Sequence, residues 1–103
     1  MKTIDRDALS QASLTLKYLA NPKILMILCR LGEEEVSAGA LAEFVEMEAS
    51  ALSQHLRRLK TDGVVTARRE HRHLYYRLTD ERVRTIITTL QTLYCPDPIS
   101  RPS

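Results

Sequence analysis

Long apolar runs, glycine and cysteine are all scarce in this 103-residue sequence. The longest apolar run, Ile24 to Cys29, is far shorter than the roughly 20 residues that cross a bilayer, and no apolar signal core follows Met1. We therefore expect a cytoplasmic protein with no membrane partner. With three glycines and two cysteines, the sequence lacks a glycine-rich phosphate loop, a nucleophile elbow and a disulfide scaffold, so we expect neither an enzyme nor a cofactor.

Basic residues are concentrated in one part of the chain, which is short enough to form a single domain over residues 1–103. Between Ser50 and Arg77 there are seven cations and two anions, a net charge of +5, whereas the whole chain carries +2 and the rest therefore −3. Such a block indicates a polyanionic partner, although a solvated charged face remains the alternative on charge alone.

Hydrophobic periodicity predicts five helices and one β-hairpin, the order of a winged helix-turn-helix. The second helix, Pro22 to Leu31, is apolar all round and is expected at the centre of the core, with Gly32 and the acidic triplet Glu33-Glu34-Glu35 ending it. Ser37 is predicted to cap the third helix, and Asp62-Gly63 to end the fourth. The fold class is therefore mainly α with one hairpin: outer helices at about 5–20 and 80–95, a helix-turn-helix at about 37–62, a wing at about 64–78 and a disordered tail at 96–103.

The two outer helices each carry a narrow apolar seam, and the small core cannot cover both. The expected fate of the seams is a homodimer interface through the first and last helices. The alternative is that one seam packs inside its own subunit. The seam residues are Leu9, Ala12, Leu16 and Leu19 in the first helix and Val83, Ile86, Leu90 and Leu93 in the last.

The fourth helix separates into a core stripe of Leu52, Leu56 and Leu59 and an opposite polar face. Gln and Ser can bond base edges in a major groove, whereas an Arg pair near a helix end is assigned to phosphate first. His55 falls near the core edge, so it is either a packed histidine or a DNA contact. The predicted DNA-binding residues of this helix are Ser50, Ser53, Gln54, His55, Arg57 and Arg58.

The polar stretch from Arg68 to His73 is predicted to form the tip of the hairpin, between the β-prone runs 64–67 and 74–78. A tip of this charge would lie along phosphates or reach into a minor groove, and its histidines predict tighter binding as the pH falls towards about 6. Tyr75 and Tyr76 alternate, and the sequence does not say which faces outward. The predicted DNA-binding residues of the wing are Arg68, Arg69, His71, Arg72 and His73.

Several stretches resemble the ArsR/SmtB family of bacterial repressors over roughly Leu16 to Cys95. They include Ala20-Asn21-Pro22-Lys23, Ser50-Ala51-Leu52-Ser53-Gln54-His55-Leu56, Asp62-Gly63-Val64-Val65 and Tyr75-Tyr76-Arg77-Leu78. The resemblance implies a homodimer that binds double-stranded DNA at an imperfect palindromic operator and leaves when an inducer binds or reacts. It also implies that Ser50, Ser53, Gln54 and His55 lie at the major groove.

Metal sensing, common in that family, is not expected from these residues. The site on the third helix needs a Cys-x-Cys type pair, and Ser37-Ala38-Gly39-Ala40-Leu41 offers no thiol. The site on the last helix needs spaced Asp and His ligands, and no histidine follows Asp80. Neither set could form a tetrahedral nitrogen–sulfur shell, so no metal site is predicted.

Cys29 and Cys95 look like the paired cysteines of the reactive-sulfur-sensing subgroup (SqrR/BigR/HlyU-like) of this family. This resemblance implies a redox sensor whose inducer is a persulfide or another reactive sulfur species, and whose bridged form releases DNA. From the residues alone, both cysteines could instead be structural, because reduced cysteine is often buried. A helix C-terminus also disfavours a thiolate at Cys95. The alternatives are a regulator with structural cysteines that responds to metal or peroxide, and a protein-interaction module.

Overall fold

The computed structural model describes residues 3–95, which form five helices and a three-stranded antiparallel sheet in the order β1-β3-β2. The predicted winged helix-turn-helix fold is confirmed. Within the described residues, no helix is both long and apolar enough to span a membrane. The predicted tail at 96–103 lies outside those residues. The elements are α1 (Arg6–Leu19), α2 (Pro22–Glu33), β1 (Val36–Ser37), α3 (Ala38–Val45), α4 (Ala49–Thr61), β2 (Val65–Glu70), β3 (His73–Leu78) and α5 (Glu81–Tyr94).

Four helices begin at a polar residue whose side chain accepts hydrogen bonds from the first turn. Asp5, Asn21, Ser37 and Asp80 cap α1, α2, α3 and α5 in this way. Such caps satisfy backbone N–H groups that have no partner within the helix. The predicted cap at Ser37 is confirmed. The helix α2 extends two residues past the predicted Leu31 and ends at Glu33, the first residue of the acidic triplet predicted to end it.

The two helices of the helix-turn-helix end in left-handed residues that turn the chain sharply. Gly63 has φ +78° and Glu46 has φ 54°. The amides of Met47 and Val64, which follow them, donate to Ala42 and Leu59 respectively, the long-range hydrogen bond of a Schellman motif. The glycine after Asp62 was predictable from sequence. Glu46 was not, since a carboxylate residue rarely adopts this conformation.

The core is built around α2 and the inner stripe of α4. Ile27, Leu28 and Leu31 are fully covered, and so are the three leucines predicted for the inner face of α4, Leu52, Leu56 and Leu59. Of the apolar residues of α2, Met26 remains 39% exposed, so this helix is not buried on every side. Tyr76 is buried and Tyr75 is half-buried, which decides the alternation that the sequence left open.

The hairpin is longer and its turn tighter than predicted. β2 and β3 pair along their whole length, from Val65 with Leu78 to Glu70 with His73, so only His71 and Arg72 form the turn. Arg68, Arg69 and His73, predicted at the tip, therefore lie in strands. A further short strand, β1, pairs with Tyr75 and Tyr76. Two residues are too few for a periodic signal, so this strand was not predictable.

The outer helices divide their apolar residues between the core and the surface. Leu19 and Val83, predicted for the dimer seam, are instead buried in the core of their own subunit, where α1 and α5 pack on α2. Leu9, Leu16 and Leu93 are 54%, 61% and 66% exposed. Ala12 is exposed as well, and Ile86 and Leu90 are half-buried. Most of the predicted seam thus stays uncovered in a single chain.

Candidate nucleic-acid interface and cysteine pair

The helix α4 presents a polar face to solvent because its leucines fix the opposite face in the core. Ser50, Ser53, Gln54, Arg57 and Arg58 are exposed on it, and His55 is half-buried at its edge. Among residues 3–95, neither arginine is in an ion pair. Three hydrogen-bonding side chains next to two available guanidinium groups can contact base edges and phosphates together.

The C-terminal end of α4 is tied to α1 by one side-chain hydrogen bond. The buried Tyr18 hydroxyl donates to a carboxylate oxygen of Asp62. Burial, this hydrogen bond and the negative charge of Asp62 raise the pKa of Tyr18 to about 12. The phenol therefore stays protonated at physiological pH and keeps donating. Nothing in the sequence pattern indicated this contact, because the two residues are 44 positions apart.

The wing is anchored through Arg68, whose guanidinium binds two carboxylates. Its Nε and Nη2 donate to the two oxygens of Glu35 at 2.9 and 2.8 Å, and its Nη1 donates to Glu70 at 2.8 Å. The same group lies 4.7 Å from the centre of the Tyr75 ring. The hydrogen bonds and charge of Arg68 lower the pKa of Glu35. Arg68 was predicted to bind DNA, but this geometry holds it in the fold of the wing.

The other cations of the predicted interface remain accessible. Arg69 and Arg72 are exposed on the wing, as are His71 and His73. Lys60 and Arg77, which belong to the basic segment but were not assigned to DNA, are exposed too. In the described part of the chain, none of these four Lys and Arg side chains is in a salt bridge. The basic surface thus extends from α4 to the turn of the hairpin.

Both cysteines are thiols in this structure. Cys29 lies on α2, half-buried against the core, and Cys95 is exposed at the end of α5. Burial raises the pKa of the Cys29 thiol, and the negative charges of ionised Cys95 and of Glu33 raise it further. The two helices that carry these cysteines, α2 and α5, pack against each other, although the cysteines are 66 positions apart in sequence. An open cavity of about 440 Å³, lined by Cys95, Glu33 and polar residues of α5, gives small molecules access.

Comparison with known proteins identifies the family. Residues 21–67, from α2 to β2, match the family model "Bacterial regulatory protein, arsR family". The chain is 41% identical over 87 residues to the HTH-type transcriptional regulator YgaV of Escherichia coli, covering 84% of this chain and 88% of that protein. It is 42% identical over 86 residues to the transcriptional activator HlyU of Vibrio cholerae, covering 84% of this chain and 80% of that protein. The chain belongs to the ArsR family.

Solved structures of ArsR-family members share its fold. HlyU from Vibrio cholerae superimposes with a TM-score of 0.82 at 39% identity, covering 89% of this chain and 99% of that one. The transcriptional repressor BigR from Xylella fastidiosa superimposes with a TM-score of 0.77 at 31% identity, covering 89% of this chain and 98% of that one. The homodimeric winged helix-turn-helix domain Mb0332 from Mycobacterium bovis superimposes with a TM-score of 0.74 at 35% identity, covering 88% of this chain and 86% of that one. The protein is thus a transcriptional regulator of the ArsR family.

Potential metal ligands do not cluster in this ArsR-family fold. In the stretch from residue 3 to residue 95, no three or more His, Cys, Asp or Glu side chains come together as a metal site. The third helix has no cysteine at the place where a Cys-x-Cys type metal site would need one, and Gly39 and Ala40 are exposed there.

Proposed function

We propose that this ArsR-family regulator is a homodimeric repressor that binds duplex DNA through α4 and the wing, and that a sulfur bridge between Cys29 and Cys95 releases the DNA. The observation that supports the proposal is that these two thiols lie on helices of different roles that pack against each other. Cys29 belongs to the central helix α2, and Cys95 ends α5, which carries part of the exposed seam. A bridge between them changes how the core and the dimer helices sit against each other.

Dimerisation is supported by the exposure of α1. Only Tyr18 and Leu19 of its 14 residues are buried, whereas Leu9 and Leu16 face solvent. An isolated helix of this length is marginal in water, so its apolar face requires a partner. A groove between α1 and α5, lined by Ile4, Leu16 and Ile86 among others, continues this apolar face. A second copy of the chain would cover both, and the similar domain Mb0332 is homodimeric.

A two-fold dimer presents two copies of α4 to the same side of the duplex. Half-sites repeat at about 34 Å along DNA, so both helices enter adjacent major grooves only at one relative orientation. Ser50, Ser53, Gln54 and His55 are proposed to contact base edges, and Arg57, Arg58, Arg69 and Arg72 to contact phosphates. Arg68 is proposed to support the wing instead. The operator is then an imperfect palindrome.

The bridging chemistry requires an organic hydropersulfide, RSSH, as co-reactant. The Cys95 thiolate attacks its terminal sulfur, and RS⁻ leaves and takes the proton that Cys95 released. Cys29 reacts likewise with a second RSSH. The terminal sulfur of the Cys95 persulfide then attacks Sγ of Cys29, the Sγ–S bond of the Cys29 persulfide breaks, and its outer sulfur leaves as H₂S. The sum is a trisulfide bridge, two RSH and one H₂S, with the cysteine sulfurs oxidised and one transferred sulfur reduced.

Cys95 is proposed to react first. It is exposed at the end of α5, whereas burial and nearby negative charge keep the Cys29 thiol protonated at neutral pH. Because the thiolate is the nucleophile, the more accessible sulfur starts the reaction. Selectivity for sulfur over peroxide would arise if the two Cα atoms lie beyond the roughly 7 Å reach of a plain disulfide, so that only a longer bridge fits without strain.

Mass spectrometry of the intact chain tests this chemistry. After hydropersulfide treatment we expect one intramolecular bridge with one added sulfur atom and two fewer hydrogens. Cys29→Ser should stop at a persulfide on Cys95. Removal of two hydrogens alone, under both peroxide and hydropersulfide, would contradict a polysulfide bridge.

The half-burial of Cys29 against the core favours one alternative, a regulator whose cysteines only pack and which responds to another signal. In that case Cys29→Ser would leave the inducer response unchanged. If the domain were instead a protein-interaction module, its affinity for DNA would be absent or insensitive to salt.

A further inference from the structure

A cleft lies between the dimer helix α1 and the recognition helix α4, at the margin of the DNA-binding face. It encloses about 390 Å³ and is lined by Leu14 and Lys17 from α1 and by Gln54, His55 and Arg58 from α4, together with the start of α2. This α1–α4 cleft therefore shares Gln54 and Arg58 with the DNA-binding face. A ligand that contacts that face from the side of α1 must pass over Lys17.

The α1–α4 cleft is cationic. Lys17 and Arg58 are both exposed, and neither is in a salt bridge within residues 3–95. The groove next to the cleft contains one acidic side chain, Asp62, which accepts the hydrogen bond of the Tyr18 hydroxyl. Because that carboxylate is engaged by Tyr18, it competes less for the guanidinium of Arg58. Two positive charges thus flank an opening whose floor includes Leu14 and Ile24.

We propose that the α1–α4 cleft binds a backbone phosphate of the DNA duplex, with Lys17 and Arg58 as its cationic ligands. A lysine ammonium is a compact point charge suited to a phosphate oxygen, and a guanidinium next to it adds directed donors. The proposal rests on DNA binding by α4 but not on the thiol switch. It gives α1 two roles, since the same helix carries Leu9 and Leu16 toward the partner and Lys17 toward the duplex.

Sequence reasoning missed Lys17 because α1 was assigned entirely to dimerisation. The alternative role of Lys17 is structural. Lys17 lies in the last turn of α1, where its charge interacts favourably with the negative end of the helix dipole. That role would affect the stability of α1 but would leave the salt dependence of DNA binding unchanged. The salt dependence of DNA binding therefore distinguishes the two roles of Lys17.

Fluorescence anisotropy with a duplex selected by the reduced protein from a random library tests the proposal. We compare wild type, Lys17→Gln, the charge-retaining Lys17→Arg, and Arg6→Gln as a matched control on the same helix. Lys17→Gln removes one cation from each subunit of the dimer, and each phosphate that is no longer neutralised should make the slope of log K against log salt shallower by about 0.9. The affinity should fall about tenfold at low salt, whereas Lys17→Arg and Arg6→Gln stay within about twofold of wild type.

A double-mutant cycle with the DNA identifies the phosphate. Neutral methylphosphonates are introduced one at a time across a half-site, and one of them should weaken binding by Lys17→Gln, which keeps Arg58, clearly less than it weakens binding by wild type. The proposal would be overturned if Lys17→Gln kept the wild-type slope of log K against log salt, or if the effects of Lys17→Gln and of the methylphosphonate were additive at every phosphate. Neither result would contradict the proposed function. If wild type itself bound no duplex, the proposed function would fail first.

Circular dichroism checks that each variant is folded, and if Lys17→Gln is unfolded, Lys17→Met replaces it and is judged by the same criterion.

Discussion

At the scale of single residues, Glu46 occupies a conformation that suits glycine. Its φ of 54° and ψ of 58° are left-handed, and it ends α3 inside the helix-turn-helix. A Cβ in this region costs about 1 kcal/mol, and Glu46 is exposed, so its side chain contributes no buried contact to offset that cost.

We predict that Glu46→Gly raises the free energy of unfolding by about 0.5–1 kcal/mol, measured by urea denaturation. The matched control is Glu43→Gly, which lies on α3 itself in helical conformation. It should lower the free energy of unfolding by about 1 kcal/mol. Equal effects of the two variants would contradict the conformational explanation.

Tyr18 makes stability depend on pH at the alkaline end. Its pKa is raised in the folded state from the ordinary value of 10 to about 12. A raised pKa means that the fold favours the protonated phenol. The stabilisation is therefore complete below pH 10 and is lost as the pH rises towards about 12.

We predict that the free energy of unfolding of wild type declines more steeply over this pH window than that of Tyr18→Phe. Thermal unfolding at a series of pH values measures the difference, which isolates Tyr18 because the two proteins differ only at this side chain. Parallel pH profiles would show that the hydrogen bond to Asp62 does not persist in solution.

Local residue signals were the most predictable part of the molecule. Ser37 and Gly63 act on neighbouring backbone groups, so the sequence alone indicated their roles. Arg68 shows the limit of that reasoning. Its charge in a basic segment suggested a DNA contact, but its partner Glu35 lies 33 positions away and is brought close only by the sheet.

At the scale of elements, the wing and the outer helices differed most from expectation. The paired strands extend to Glu70 and His73 because the backbone hydrogen bonds of a ladder outweigh the polar character of the side chains. The apolar residues of α5 were predicted as a single seam. In fact Val83 completes the core while Leu93 stays exposed, since a helix with a broad apolar face can serve two surfaces at once.

We predict that the wing depends on Glu35 for its position. Glu35→Gln removes a negative charge close to the basic surface, which by electrostatics alone would strengthen DNA binding. Because it also breaks the two-pronged contact with Arg68, we expect DNA affinity to fall about threefold to tenfold instead. Anisotropy at constant salt measures this.

Glu70→Gln serves as the control, since Glu70 makes a single hydrogen bond to the same guanidinium. Its effect should be smaller than that of Glu35→Gln. Tighter binding by Glu35→Gln would show that the charge of this residue matters more than its anchoring of the wing.

At the scale of the whole molecule, the proposed repressor requires two chains. The single chain is 49 × 39 × 21 Å in extent, with a radius of gyration of 14.8 Å, larger than the about 13 Å typical of a compact domain of this length. The exposed leucines of α1 account for the uncovered apolar surface that a second copy would bury.

We predict that Leu16→Glu yields a monomer at micromolar concentration, measured by sedimentation velocity. DNA affinity should fall at least about 100-fold, because each half-site is then bound independently. Phe44→Glu is the control, since Phe44 is also exposed but lies on α3, away from α1 and α5. Equal dissociation of both variants, or a dimeric Leu16→Glu, would place the interface elsewhere.

The most direct test of the central claim is the operator affinity of the reduced and hydropersulfide-treated protein, compared by anisotropy for wild type, Cys29→Ser and Cys95→Ser. We predict that treatment weakens binding by wild type about 100-fold to 1,000-fold, a coupling of about 2.7–4.1 kcal/mol, and by less than about threefold in either serine variant. The same weakening in both variants, or none in wild type, would contradict a switch made by the Cys29–Cys95 bridge.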